Sequence, residues 1–377
     1  MRLDLVQTLA ELIAIPSVNP MGRQVAGDQY YEYRVTDYLE NLFERMGLQW
    51  QRQAVEPRRE NIIARLDGSF SPQQGGAVLL LEAHQDTVPV DGMTIEPWTP
   101  KIEQGRIYGR GACDIKGGLV AMLGALARLA EDPPADRPTI VMACTVNEEH
   151  GFTGATALTR LWTAPGNSIM PRRPDAAVVA EPTGLDVVVA HKGAVRWHCR
   201  TLGRAMHSSQ PHLGENAIYK MARVLAALER YAKEFTPSLA RHALCGAPTL
   251  SVGTIQGGLS VNTVPDRCTI EIDRRMIPGE NAAAVYQQVV DFVGRHAPDA
   301  QPVEHDRPYS QGSPLSETHN AALAARLIAV TQELLGRGQA VGVPYGTDAA
   351  TISAAGVPSV VFGPGSIDQA HTVDEWL

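Results

Sequence analysis

Apolar residues recur along this chain in two alternating rhythms. Asn61–Leu66, Ala77–Ala83, Thr139–Val146 and Asp175–Ala180 are short runs of the kind that form strands buried on both faces. Between them the spacing turns helical. Residues 3–13 form an amphipathic stretch that stops at Ile15-Pro16, where proline disfavours the α region for its predecessor. Val35, Tyr38, Leu39, Leu42, Phe43 and Met46 share one helical face, with Gly47 placed as a C-cap. Lys116–Leu129 reads as a third helix, closed off by Pro133-Pro134. Strands alternating with helices to about residue 190 predict an α/β fold with a doubly wound, mainly parallel sheet.

After His191-Lys-Gly193 the rhythm changes. Ala194–Leu202 alternates as a half-exposed antiparallel strand does, and a long helix spans Asn216 to Phe235. Strands Pro248–Ile255 and Cys268–Asp273 follow, then a helix from Asn281 to Arg295. This β-α-β-β-α order over about 110 residues has the size of a separate, smaller α+β domain. Helices at Asn320–Leu335 and Asp348–Ala355 and a strand at Ser359–Phe362 then resume the earlier style. The expected organisation is a first domain made of residues 1–192 and 307–377, interrupted by an inserted domain at 193–306.

Composition narrows the options. A chain of 377 residues that is 44% hydrophobic and 20% charged is an ordinary globular protein long enough for two cores. A net charge of -8 with no Lys/Arg cluster argues against a nucleic-acid partner. No apolar run approaches membrane-spanning length. Five scattered cysteines without a Cys-x-x-Cys fit reduced thiols, so a cytoplasmic setting is expected.

The candidate chemistry lies where buried strands end. Ala83 runs into His84 and Asp86, Val146 into Asn147-Glu148-Glu149, and Ala180 into Glu181. In doubly wound sheets, ligands sit at the carboxyl ends of the strands. A metal-bound imidazole usually gives its other N–H to a carboxylate, so His84-x-Asp86 supplies a ligand and its orienting partner. Asp114 lies in a glycine-rich turn before a helix, and His371 follows a strand and a glycine loop. Two histidines with three or four carboxylates suit Zn²⁺, or Co²⁺ and Mn²⁺. Asp114, one glutamate of the Glu148-Glu149 pair and Glu181 bring about three negative charges, and a bound hydroxide a fourth, which balances two divalent ions. The other glutamate is then available as general base on a metal-bound water. Residue chemistry alone does not say which of the two it is.

These segments together resemble the M20 metallopeptidases: His84-x-Asp86, Gly-Ala-Cys-Asp114-Ile-Lys-Gly-Gly, Asn-Glu148-Glu149, Glu181-Pro-Thr, His207-Ser-Ser, Asn262-Thr-Val-Pro, Asp273-Arg-Arg275-Met-Ile-Pro-Gly and Gln-Ala-His371. The resemblance covers nearly the whole chain. It implies a catalytic domain with two zinc ions and an inserted lid through which two subunits form a homodimer. It makes His84 and Glu181 ligands of one ion, Glu149 and His371 ligands of the other, and Asp114 the bridge, beside a cis bond to Ile115. It makes Glu148 the general base and Asp86 the orienter of His84. His207 resembles an oxyanion donor offered to the partner's active site, Asn262 and Arg275 a pair that grips substrate, and Gly346 part of the pocket lining. Two departures stand out: Cys113 occupies a position where the family more often has serine, and the sequence ends six residues after His371, short of the family's closing helix.

The reaction so implied is amide cleavage of an N-acyl amino acid, with the ending and the Glu-Pro-Thr turn most similar to the deacetylases of the family. A dipeptidase or glutamate-carboxypeptidase-like exopeptidase acting on short peptides is the alternative within the class. A non-catalytic, metal-stabilised binding protein is the alternative outside it. Gly-x-Ser-x-Gly, His-Glu-x-x-His and a Gly-Lys P-loop are all absent from the sequence.

Overall fold

The computed structural model describes residues 2–163 and 167–377. The chain divides into two compact units. The first comprises Met1–Val189, Glu317–Val341 and Thr347–Leu377, and the second Ala190–Ser316 with Gly342–Gly346.

The first unit is built on a sheet with strand order Gln49–Glu56, Arg59–Leu66, Thr139–Thr145, Val78–His84, Ala176–Val179, Ser359–Val361, Val187–His191 and Ala340–Val343. Its centre is parallel: Val78–His84 pairs in parallel with both Thr139–Thr145 and Ala176–Val179, and Ser359–Val361 continues the pattern. The pairs flanking this centre are antiparallel. All seven residues of Thr139–Thr145 are buried, as expected of a strand covered on both faces. Helices Leu5–Ile13, Tyr33–Arg45 and Gly117–Glu131 bury Leu12, Ile13, Leu39, Phe43, Leu119 and Leu123 in one shared core. Asp4 caps the first of these by accepting the N–H of Gln7 at 3.1 Å.

The strand Gln49–Glu56 and the helix Thr153–Thr159 were not expected. The strand is mostly half-exposed and rich in Gln, Arg and Glu, so it carries no apolar run. The helix has only seven residues and its periodicity is too short to read.

The second unit is an antiparallel sheet ordered Thr249–Gly257, Arg267–Met276, Gly193–Leu202 and Val303–His305, with Ser310–Gly312 also paired to Gly193–Leu202. Arg267–Met276 alternates strictly, burying Cys268, Ile270, Ile272, Arg274 and Met276. These face the buried side of helices Ala217–Arg230 and Ala282–His296, whose N-caps are Asn216 and Asn281. Residues 307–316 lie with this unit because Ser310–Gly312 is hydrogen-bonded into its sheet.

Candidate metal centre

Four of the loops that follow strands of the first unit's sheet converge on one set of acidic and imidazole side chains. His84 ends its strand with the side chain buried. Its Nε2 is 3.2 Å from Asp114 Oδ1 and 3.9 Å from Glu181 Oε1. The other oxygen of Asp114, Oδ2, is 3.4 Å from Nε2 of His371, which in turn lies 3.3 Å from Glu149. Two triads result, His84–Asp114–Glu181 and Asp114–Glu149–His371, each offering ligand atoms within 4.8 Å of one another. Asp114 belongs to both, one oxygen turned to each histidine.

Local backbone explains how these side chains meet. Asp114 sits in a tight turn at residues 112–116, beside a cis peptide bond to Ile115 and before the helix Gly117–Glu131. Gly111 enters that turn at φ 83, a left-handed conformation natural to glycine, and a Cβ there would lie 2.8 Å from the methyl of Thr87. Asn147 and His371 also have positive φ, at 62 and 61, which turns the chain sharply beside each ligand they carry or precede.

Asp86 organises the centre from beneath. Its Oδ1 accepts the backbone N–H of Glu148 (3.1 Å), and its Oδ2 accepts that of Glu149 (3.2 Å) and the amide of Asn19 (2.7 Å). Nδ1 of His84 lies 2.9 Å from the carbonyl oxygen of Asp86 and 3.6 Å from its carboxylate. Main chain and side chain of one residue thus hold the imidazole and the Glu148-Glu149 loop. Asn19 also donates to Asn147 (2.9 Å), and Glu32 accepts the Asn147 N–H (3.2 Å).

The electrostatics are those of a cation site. Burial pushes the carboxyls of Glu148 and Glu181 well above the usual range, and neighbouring carboxylates add to the effect. Burial works against charge on the His84 imidazole too, but Asp114 and Asp86 outweigh it and raise it well above its ordinary value. Behind the centre, Glu82 and Asp348 meet across the hydroxyl of Thr145, at 2.5 and 3.0 Å. Burial raises Glu82 strongly and brings Asp348 to about 7. Crowded acids that resist ionising are the arrangement a divalent ion relieves. The donor set also fits: imidazole nitrogen and carboxylate oxygen, in two clusters sharing one bridging carboxylate.

His207, Asn262, Arg275 and Gly346 lie in the second unit. His207 is exposed on a two-residue strand paired with Thr263-Val264, and its Nδ1 accepts the N–H of Ser209 at 3.2 Å. Asn262 is its neighbour in that ribbon, its carbonyl accepting the N–H of Ser208 at 3.0 Å. Arg275 is half-buried on Arg267–Met276 and binds Asp273 through Nε at 2.8 Å. Gly346 precedes Thr347, the N-cap of the helix Asp348–Ala354. Cys113 is buried, with its thiol directed at the Ser366 carbonyl (3.3 Å), and burial pushes it up to about 12, which makes it unreactive.

Four supporting residues were not anticipated: Asn19, Glu32, Glu82 and Glu375. Glu82 had a readable signal, an acid inside an apolar strand two residues before His84 and therefore on its face. Asn19, in a Pro-Ser-Val-Asn-Pro turn, and Glu375, in an Asp-Glu-Trp stretch, look like loop residues in sequence.

The sequence model of Peptidase family M20/M25/M40 matches residues 80–377, and the chain belongs to that family. It is a hydrolase of the class that acts on amide bonds. Acetylornithine deacetylase of Proteus mirabilis (strain HI4320) is 31% identical over 380 residues, covering 99% of this chain and 91% of that one. Two solved structures share the fold. An M20 family metallo-carboxypeptidase of Sulfolobus solfataricus superposes with a TM-score of 0.79 at 18% identity, covering 100% of this chain and 95% of that chain. A dinuclear metal binding peptidase of the family from Bacillus subtilis gives 0.64 at 16% identity, with 95% and 86% covered.

Proposed function

We propose that this protein is a two-metal amidohydrolase that cleaves the amide bond of an N-acyl amino acid, as an acetylornithine deacetylase does. The observation that carries this reading is the division of the two Asp114 oxygens between His84 and His371. His84, Asp114 and Glu181 would hold one divalent ion, and Asp114, Glu149 and His371 the other; Zn²⁺ suits the donors best, with Co²⁺ or Mn²⁺ as substitutes. Such a pair of ions supplies Lewis acidity for an amide carbonyl and acidifies water.

The chain's own residues do the rest. Glu148 lies next to the ligand Glu149, and the structure gives its carboxylate no hydrogen bond among the described residues, which leaves it available to take a proton from the attacking water and return it to the departing amine. Asp86 fixes the backbone from which it projects. In the second unit, Ser209 engages Nδ1 of the exposed His207 through both its hydroxyl (2.7 Å) and its backbone N–H (3.2 Å), which leaves Nε2 to serve as the donor. That donor is suited to stabilising an oxyanion in a partner subunit's site. Asn262 and Arg275 grip the substrate carboxylate, the guanidinium fork by two parallel bonds, and Gly346 lines the pocket.

A homodimer through the second unit, acting there as a lid, follows from the same reading. Its edge strand Thr249–Gly257 is mostly exposed, with Ile255 within it and Leu259 and Val261 just beyond it as exposed apolar residues. No helix among the described residues is long and apolar enough to cross a membrane. Cys113, Cys144, Cys199 and Cys268 are free, buried thiols, which fits a cytoplasmic enzyme.

The test is hydrolysis of N-acetyl, N-succinyl and dipeptide amides by metal-loaded, chelator-treated and reloaded protein. N-acetyl amino acids are expected to be cleaved, chelation to abolish turnover and zinc to restore it. Preference for dipeptides would move the protein to the exopeptidases, an alternative the metallo-carboxypeptidase fold keeps open. No turnover of any of these amides in any state would overturn the proposed substrate class.

A further inference from the structure

We infer that Glu375 is a positioning residue that sets the distance between Asp114 and His371, and so controls one metal site more than the other. This rests on the two-metal reading above. The side chain of Glu375 is fully buried, and both its oxygens are saturated. Oε1 accepts the backbone N–H groups of Cys113 and Asp114, each at 2.9 Å. Oε2 accepts the backbone N–H of Gly111 at 3.0 Å and Nη1 of Arg110 at 2.7 Å. The left-handed glycines at 109 and 111 turn these N–H groups inward, which forms a backbone nest for an anion. The chain fills that nest with its own carboxylate.

Glu375 stands four residues after His371, on a segment paired to residues 107–109: Ile107 and Leu377 exchange backbone hydrogen bonds at 2.9 and 3.0 Å, and Gly109 donates to Glu375 at 3.0 Å. One carboxylate therefore grips the backbone N–H of one metal ligand while belonging to the segment that carries another. The triad Asp114–Glu149–His371 depends on both ends of that link. The triad His84–Asp114–Glu181 depends on one end only, because His84 ends a strand of the central sheet and Glu181 follows another. Loss of the Glu375 charge should loosen the first triad selectively. A residue that merely stabilised the fold would weaken both or neither.

The experiment titrates metal-free protein with Co²⁺, following visible d–d absorption and equilibrium dialysis, for wild type, Glu375→Gln, Glu375→Asp and Leu377→Ala. Leu377→Ala thins the packing of the same segment on Gly117 and Gly365 without touching the carboxylate. Wild type should bind two equivalents. Glu375→Gln should bind one within about threefold of wild type and the other about tenfold or more weaker, as outer-shell partners of metal ligands do. Glu375→Asp should recover much of the loss, and Leu377→Ala should match wild type at both sites. Unchanged binding in Glu375→Gln, equal weakening of both equivalents, or the same selective loss in Leu377→Ala would each overturn the inference. If circular dichroism shows Glu375→Gln unfolded, Glu375→Ala and Glu375→Asp decide together: selective weakening in Glu375→Ala that Glu375→Asp largely reverses supports the link, and uniform weakening or none in Glu375→Ala refutes it. Failure of the wild type itself to take up two equivalents strikes the two-metal reading, and is visible before any variant is made.

Discussion

The carboxylate of Asp86 accepts the backbone N–H of Glu148 at 3.1 Å, and its second oxygen does the same for Glu149. Burial disfavours its charge, yet the His84 contact, the Arg59 guanidinium and the Asn19 amide hold it down at about 2. Asp86 thus couples the strand end that carries His84 to the loop that carries Glu148, the proposed general base. Asp86→Ala strands two backbone donors and the Asn19 amide, each worth about 1–3 kcal/mol when buried without a partner. Urea unfolding of the metal-free variant should show a loss of several kcal/mol, and dialysis a fall of about 10–100-fold in metal affinity. A variant as stable and as metal-avid as wild type would show that the clamp does nothing.

Glu148→Gln separates binding from chemistry. Glutamine keeps the shape and removes the base, so two ions should still bind while turnover falls by about 10²–10⁴-fold. Metal analysis and steady-state rates on the same preparation check this. A rate equal to wild type would reassign the base, with Glu149 the next residue to test.

Cross-subunit catalysis has its own test. His207→Ala and Glu148→Gln homodimers should each be nearly inactive, since each lacks one part of both sites. Mixed and re-equilibrated, they form heterodimers in which one site receives an intact His207 and an intact Glu148. Activity should rise on mixing by up to about a quarter of wild type, from half the dimers carrying one good site of two. A flat mixing curve would place the function of His207 within its own subunit.

Acid sensitivity should originate in part in the second unit. Nδ1 of His305 accepts the indole N–H of Trp197 at 3.1 Å, a role open only to the neutral ring, and burial holds the ring at about 4. Its folded pKa lies below the unfolded value of 6.5, so the unfolded chain takes up the proton first. Its contribution is complete above pH 6.5 and drains away as the pH falls towards 4, amounting to about 2 kcal/mol between pH 7 and about pH 5. His305→Gln retains an acceptor for the indole and cannot titrate. The stability gap between wild type and this variant should shift by that amount over the interval, read from urea midpoints monitored by tryptophan fluorescence. A gap independent of pH would remove His305 from the account.

The parallel centre of the first sheet was legible because strands buried on both faces carry continuous apolar runs, as residues 140–144 and 78–81 do. The polar residues that end them stood out against that background. Half-exposed edge strands obey no such rule, which is why Gln49–Glu56 stayed hidden. Supporting residues were harder still. Nothing near Glu375 in sequence reveals that its partners are N–H groups some 260 positions earlier, because the nest that holds it exists only once Gly109 and Gly111 have adopted their left-handed turn. Local pattern discloses side chains whose neighbours are local, and the Asn19–Asp86 bond at 2.7 Å spans too much sequence for that.

The strand Ser359–Val361 lies between Ala176–Val179 and Val187–His191. A ribosome therefore delivers an inner strand of this sheet after both its neighbours have been made and after the whole of Ala190–Ser316. The nascent chain must keep an open slot between two apolar edges while most of the second unit, all but Gly342–Gly346, has already been made. Chaperone dependence and sensitivity to translation rate are expected to concentrate in that interval, and synonymous changes that slow decoding between codons 317 and 358 are the natural place to look for them.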